Sequence, residues 1–237
     1  MTNKSRILLV GAQHGNERLG PRFMRHLAKQ PERYPEVDYL CGNPKAYRAN
    51  IRFIETDLNR SYNPHADTVK TYEAIRAQKI LRRIRDGSYE YVLDIHTSYT
   101  DVDRFFLAAS MNEAVYAVVG ASTLSRLVIM PTHIADCSLI GQVPQAISIE
   151  YNRDLARTAT AVDELTALLD NLLAGRKLRL QREVFPVREK IAMNIDLPAQ
   201  ALNFQKTHQG FYPVLIGPNT YKGYKGFAAY ERQLYVM

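Results

Sequence analysis

Apolar residues fall along this chain in short runs that alternate with helically spaced stripes. Residues 6–11 read as a buried strand, because Ile7-Leu8-Leu9-Val10 is continuously apolar. The strand runs into the polar loop Gly11-Ala12-Gln13-His14-Gly15-Asn16-Glu17, after which Leu19, Phe23 and Leu27 recur at helical spacing. Strand, loop and helix in that order open a βαβ unit. The same patterning predicts strands over 37–41, 89–95, 105–109, 127–130 and 146–150, and helices over 71–85, 112–123 and 158–174, the last stopped by Gly175. Such alternation argues for an α/β fold with a mostly parallel sheet flanked by helices.

Two stretches break the rhythm. Gly42-Asn43-Pro44 ends the second strand, and residues 50–62 are polar and irregular. A long loop rich in Arg and Asn is unusual enough to mark a site. Beyond Gly175, residues 184–191, 211–216 and 228–236 are short strand-like pieces divided by Pro and Gly. The expected organisation is an α/β domain over 1–175 and a small β-rich subdomain over 176–237.

Composition narrows the classes. Hydrophobic residues make up 46% of 237 positions, enough for a sizeable core. The longest apolar runs fall well short of the roughly 20 residues that span a membrane. Met-Thr-Asn-Lys-Ser-Arg leads directly into the first strand, leaving no room for a signal peptide, so a cytoplasmic location is expected. Cys41 and Cys137 form no CxxC pair and read as small buried hydrophobes. The net charge of +7 permits attraction to nucleic acid or to small anions. The basic run 79–85 carries Ile80, Leu81 and Ile84 at helical spacing, as a solvated helix face does. No RNP or zinc-finger signature supports a nucleic-acid partner.

Candidate chemistry begins at His14 and Glu17, three residues apart just after the first strand. Imidazole nitrogen and carboxylate oxygen suit Zn²⁺, and a catalytic site takes three protein ligands and leaves one position open. His96 is the best third candidate. It follows the apolar strand Tyr91-Val92-Leu93-Asp94-Ile95, and ligands in open α/β sheets gather beyond the carboxyl ends of strands. A His-x-x-Glu pair by itself remains a weak signal. His26, His65, His133 and His208 carry no such context.

Asn43-Pro44-x-Ala46 followed by Arg52-Phe53-Ile54-Glu55-Thr56-Asp57-Leu58-Asn59-Arg60 is where the sequence resembles the succinylglutamate desuccinylase and aspartoacylase family, relatives of the zinc carboxypeptidases. His14-Gly15-Asn16-Glu17, Asp57-Leu58-Asn59-Arg60, Asp94-Ile95-His96-Thr97 and Ile149-Glu150 stand in the family's order at similar separations. The resemblance covers Arg6 to about Tyr151 well and the remainder loosely. It implies a zinc carboxypeptidase-like fold, one zinc per chain held by His14, Glu17 and His96, and Glu150 as general base. It further implies that Arg52 polarises the scissile carbonyl, that Asn59 and Arg60 clamp an α-carboxylate, and that Asp57 supports these cations. Tyr221 resembles a C-terminal tyrosine that reaches into the family's active site. The implied substrate is a small N-acyl amino acid, with no membrane or nucleic-acid partner; the oligomeric state stays open.

The sequence also departs from the family. Its aspartoacylase branch carries a further arginine shortly before the base, used for the second carboxylate of aspartate. Residues 135–142, Ala-Asp-Cys-Ser-Leu-Ile-Gly-Gln, contain no arginine or lysine. That puts N-acetylaspartate itself in doubt. A carboxypeptidase-like peptidase using the same zinc site, and an inactive or basic binding protein, stand as the alternatives.

Overall fold

The computed structural model describes residues 6–63, 70–198, 201–217 and 221–237. Along the chain lie β1 (Ile7–Gly11), α1 (Leu19–Leu27), β2 (Val37–Cys41), α2 (Pro44–Ala49), α3 (Tyr72–Gly87), β3 (Tyr91–Ser98), β4 (Arg104–Ala108) and α4 (Glu113–Gly120). They are followed by β5 (Arg126–Ile129), α5 (Thr132–Ala135), α6 (Leu139–Gln142), β6 (Ala146–Asn152), α7 (Ala159–Leu173), β7 (Gln181–Ala192), β8 (Tyr212–Val214), β9 (Tyr224–Ala229) and β10 (Gln233–Val236). All these strands join one open mixed sheet in the order β2-β1-β3-β6-β4-β5-β7-β9-β8, with β10 beside β7. The α/β expectation holds, and the sheet is flanked by helices on both faces.

The apolar run of β1 follows from its position. It lies between β2 and β3, parallel to both, and every residue from Ile7 to Gly11 is buried. Strand alternation sends Ile7 and Leu9 into a core with Phe23 of α1, Val118 of α4 and Leu169 of α7. Leu8 and Val10 enter the opposite core with Ile80 and Ile84 of α3 and Leu139 and Ile140 of α6. Strands β1, β3 and β6 run parallel, so their carboxyl ends meet along one edge. β4 turns against β6 and makes the sheet mixed.

Segment 176–237 contributes β7 to β10 and no helix among its described residues. It is continuous with the rest, because β7 pairs in parallel with β5 while its later half pairs with β9. The stretch expected as one strand over 228–236 is two, β9 and β10. A helix that periodicity missed, α2, occupies the region read as broken. Asn43 caps it by accepting from Ala46 N at 3.2 Å, and Pro44 starts it; six residues are too few to show an apolar stripe.

Charge clusters behave in two ways. Lys79, Arg82, Arg83 and Arg85 are exposed on α3, as the spacing predicts. Arg182, which ends the basic stretch 176–182, is instead 1% exposed and donates to the carbonyls of Val119 (3.3 Å) and Ser122 (2.5 Å) near the end of α4. Both cysteines are free and only partly buried, so the buried-hydrophobe expectation fails for them. No helix among the described residues is long and apolar enough to cross a membrane.

Candidate metal centre and cavity

The loop after β1 is shaped by close backbone packing. Ala12 takes a positive φ of 55°, turning the chain sharply out of the strand. A Cβ on Gly15 would stand 2.1 Å from the Ala46 carbonyl carbon, so only glycine lets the loop pass under α2. Gly15 N also donates to Arg52 O at 3.0 Å, which ties the loop to the 50–62 segment. That segment is held from below by Glu73 of α3, a fully buried carboxylate. Glu73 accepts from the amides of Ile54 (2.7 Å), Glu55 (3.2 Å) and Thr56 (3.2 Å) and from Asn43 Nδ2 (2.9 Å). These bonds hold its pKa below the ordinary value against the opposing effect of burial. A polar, patternless loop is thereby fixed without a hydrophobic stripe.

His14, Glu17 and His96 come together, each 4% exposed or less, with one donor atom apiece within 4.8 Å of the others. Glu17 Oε1 lies 2.7 Å from His14 Nδ1, and Oε2 lies 3.1 Å from His96 Nδ1. The outer ring nitrogens are also engaged: His14 Nε2 meets Asp57 Oδ1 at 2.9 Å, and His96 Nε2 meets Asp94 Oδ2 at 2.7 Å. A carboxylate behind each imidazole fixes the ring and raises its basicity, the usual support for a metal-ligating histidine. Both Nδ1 atoms then converge on Glu17.

The donor set fits a cation. Burial by itself would lower the pKa of His14, but Glu17 and Asp57 reverse that and raise it. Burial likewise opposes charge on His96, and Asp94 and Glu17 push its pKa well above the ordinary value. Glu17 is held far below the usual carboxylate range by the two imidazoles, despite burial. Three carboxylates around two imidazoles thus draw positive charge to the point where an ion would sit, and nitrogen and oxygen donors suit a small divalent metal.

Glu150 is the register partner of His96 across β3 and β6, so both side chains rise from the same face of the sheet. Its carboxylate makes no hydrogen bond among the described residues, and burial pushes its pKa up to about 7, with Glu17 and Asp94 adding to the rise. Arg52 is more exposed. Its Nη2 donates to Asp57 Oδ2 at 3.0 Å and its Nη1 lies 3.8 Å from Glu17 Oε1. Asn59 Oδ1 accepts from Leu139 N at 3.2 Å, and Arg60 Nη1 donates to Asn59 O at 2.8 Å.

A cavity of about 520 Å³ opens over these groups. His14, Glu17 and His96 line it together with Glu150, Arg52, Asn59, Arg60 and Tyr221. Asp57 does not; it lies behind His14 and Arg52, so it holds the His14 ring as well as one of the cations it was expected to order. Tyr221 stacks on Tyr224 with ring centroids 4.5 Å apart. Leu107, Met130 and Phe227 supply an apolar wall, and Cys137 and Lys190 also reach it. His26 lies on α1, while His133, on α5, and His208 are exposed; none of the three lines the cavity, and His65 is outside the described residues.

Several participants escaped the sequence reading. Asp94 stands two positions before His96 on one strand, hence on the same face, and that spacing alone would have marked it. Its Oδ2 also accepts from Gln13 Nε2 (2.6 Å) and Ser148 Oγ (3.2 Å). Gln13 in turn accepts from Tyr62 OH at 2.8 Å. Tyr224, Lys190 and Glu73 carried no sequence signal, since each arrives from a distant element.

An open mixed α/β sheet carries a buried His-Glu-His cluster, a candidate metal site, at its strand ends beside a cavity. The chain belongs to the succinylglutamate desuccinylase/aspartoacylase catalytic domain family, whose model matches residues 3–132. It is 29% identical over 114 residues to an N-acyl-aromatic-L-amino acid amidohydrolase (carboxylate-forming) of Xenopus tropicalis, a match spanning 44% of this chain and 37% of that protein. It is 32% identical over 108 residues to a probable aspartoacylase of a Nostoc species, spanning 41% and 37%. The matched stretch is thus little more than a third of these relatives' length. In fold it is similar to murine aminoacylase 3, with TM-score 0.75 and 18% identity over 99% of this chain and 97% of that one.

Proposed function

We propose that this chain is a zinc-dependent amidohydrolase that cleaves the amide bond of an N-acyl amino acid. The observation that carries the reading is the His14–Glu17–His96 cluster with Glu150 one strand away and without a hydrogen-bond partner among the described residues, both facing one cavity. Zinc bound there supplies a Lewis acid that activates water and polarises a carbonyl. Glu150, held near neutrality, takes the proton of the attacking water and delivers it to the departing amine. Arg52 stabilises charge on the carbonyl oxygen, an effect whose loss typically costs about 10²–10³ in rate. Arg60 and the Nδ2 of Asn59 hold the α-carboxylate, the guanidinium in bidentate fashion. Tyr221 closes the cavity over the substrate. In this reading residues 1–175 supply metal and base, and residues 176–237 supply the selecting wall.

Elemental analysis of untagged protein, followed by zinc loading and a side-by-side assay of N-acyl amino acids and short peptides, tests the proposal. About one zinc per chain, lost in His96→Ala, with release of free amino acid from the N-acyl substrates, is the expected result. Preferential peptide cleavage would move the reading to a peptidase on the same site. Failure to take up metal would remove both.

A further inference from the structure

Of the tyrosine and phenylalanine rings that line the cavity, Tyr221 and Tyr224 are partly buried and Phe227 is buried, while Tyr99 is 54% exposed. Tyr99 follows directly on β3 and is nevertheless held from two sides. Asn16 Nδ2 donates to its hydroxyl at 2.8 Å, and the Arg153 guanidinium lies over the ring, 5.1 Å from the centroid. Asn16 stands between His14 and Glu17, so its bond sets the place of the ring relative to the metal cluster. Arg153 does not line the cavity; it covers the face turned away and leaves the other face of the ring open to the cavity. Fixing an exposed side chain costs rotamer freedom and gains little burial. A fixed ring with one open face is a surface on which a flat ligand group stacks.

The position of the ring assigns it to one side of the ligand. Arg60, the α-carboxylate clamp, has Asp57, Tyr221 and Tyr224 as its electrostatic neighbours. Tyr224 opens β9, which lies across β6, β4, β5 and β7 from β3. Among the described residues no hydrogen bond or ring contact joins Tyr99 to Arg60, Tyr221 or Tyr224; its partners come from the loop after β1 and the end of β6. With the carboxylate at Arg60 and the carbonyl at the His14–Glu17–His96 cluster, the remaining arm of the amide, its acyl substituent, is the one that meets Tyr99. Thr97 and Ser98, which precede Tyr99 in the cavity wall, are small and leave room beside the ring.

We propose that Tyr99 is a specificity-determining residue whose open face stacks on the acyl group, so that the cavity favours flat, aromatic acyl groups over acetyl. The inference rests on the N-acyl amino acid reading of the cavity and names its acyl side. An aromatic acyl group such as benzoyl is conjugated with the amide carbonyl and therefore nearly flat up to the reacting carbon. It can lie on the Tyr99 ring without drawing the carbonyl away from the metal cluster.

Calorimetric titration of the zinc-loaded full chain, in a Glu150→Gln background that keeps ligands intact, tests it. N-benzoylalanine is compared with N-acetylalanine and with N-cyclohexanecarbonylalanine, which matches benzoyl in bulk and lacks its flat face. The benzoyl ligand binds more tightly than both. Tyr99→Leu, which keeps an apolar side chain and loses the ring, cuts its preference over the cyclohexanecarbonyl ligand by a factor of about three to ten, and Tyr99→Phe retains it. No benzoyl preference with Tyr99 present, a preference that survives Tyr99→Leu, or an equal loss in Tyr99→Phe overturns the proposal. Hydrolysis is measured separately with Glu150 intact: turnover without a Tyr99-dependent preference sinks only the stacking subsite, while a Tyr99-dependent preference without turnover sinks the hydrolase reading and leaves the subsite standing.

Discussion

The two ends of the cavity are built differently. At the β1–β3 end each ring nitrogen of His14 and His96 has a carboxylate partner, and His14, Glu17 and His96 are almost fully buried. At the β7–β9 end Lys190 is exposed, Tyr221 and Tyr224 hold each other by stacking, and the apolar wall offers few directional bonds. Reaction chemistry needs groups fixed to fractions of an ångström, which dense hydrogen bonding achieves. Selection tolerates a looser wall, because discrimination comes from which groups are left unpaired. One end can therefore keep its geometry while the other varies in what it admits.

The contrast can be broken most strongly at Glu150. Glu150→Gln keeps the shape and loses the proton acceptor, so kcat should fall by about 10²–10⁴ with zinc content unchanged. Retained turnover would remove Glu150 as the base. Asp94→Asn attacks the support behind His96: zinc affinity, measured by competition with a chelator, should weaken by about 10–100-fold. No change there would mean that Asp94 orders the core and not the ligand.

Stability sharpens the same comparison at smaller scale. The folded-state pKa of Glu150 is raised to about 7 from an ordinary value of 4.5, so the native state binds its proton more tightly than the unfolded chain does. Its contribution is fully present below about pH 4.5 and is lost as pH rises through about 7. In metal-free protein at pH 8, Glu150→Gln should therefore be more stable than the parent by an amount on the order of 3 kcal/mol. At pH 4.5 the gain should vanish. Denaturant titrations at the two pH values check this, and equal differences at both would show that burial of this carboxylate is not what strains the site.

Legibility in the sequence followed the range of each signal. Strand and helix periodicity recovered the αβ core because β1 and its neighbours are buried on both faces and their helices carry regular stripes. The order of the short motifs pointed to His14, Glu17, His96 and Glu150, which the fold brings together at one cavity. Periodicity could not show α2, fixed by a cap in six residues, nor the β9–β10 break.

By itself the sequence determined the fold class, the family and which residues would meet at the His14–Glu17–His96 cluster, since those are encoded in local spacing and in residue type. Only the tertiary structure decided how these groups are partnered: that Asp57 stands behind His14, that Asp94 backs His96, and that Glu73 anchors the 50–62 loop. It also decided that a one-residue bulge turns Lys190 onto the cavity-side face of β7. Each of these depends on elements far apart in the chain, whose register and packing are set by the whole core and leave no mark in any short stretch of residues.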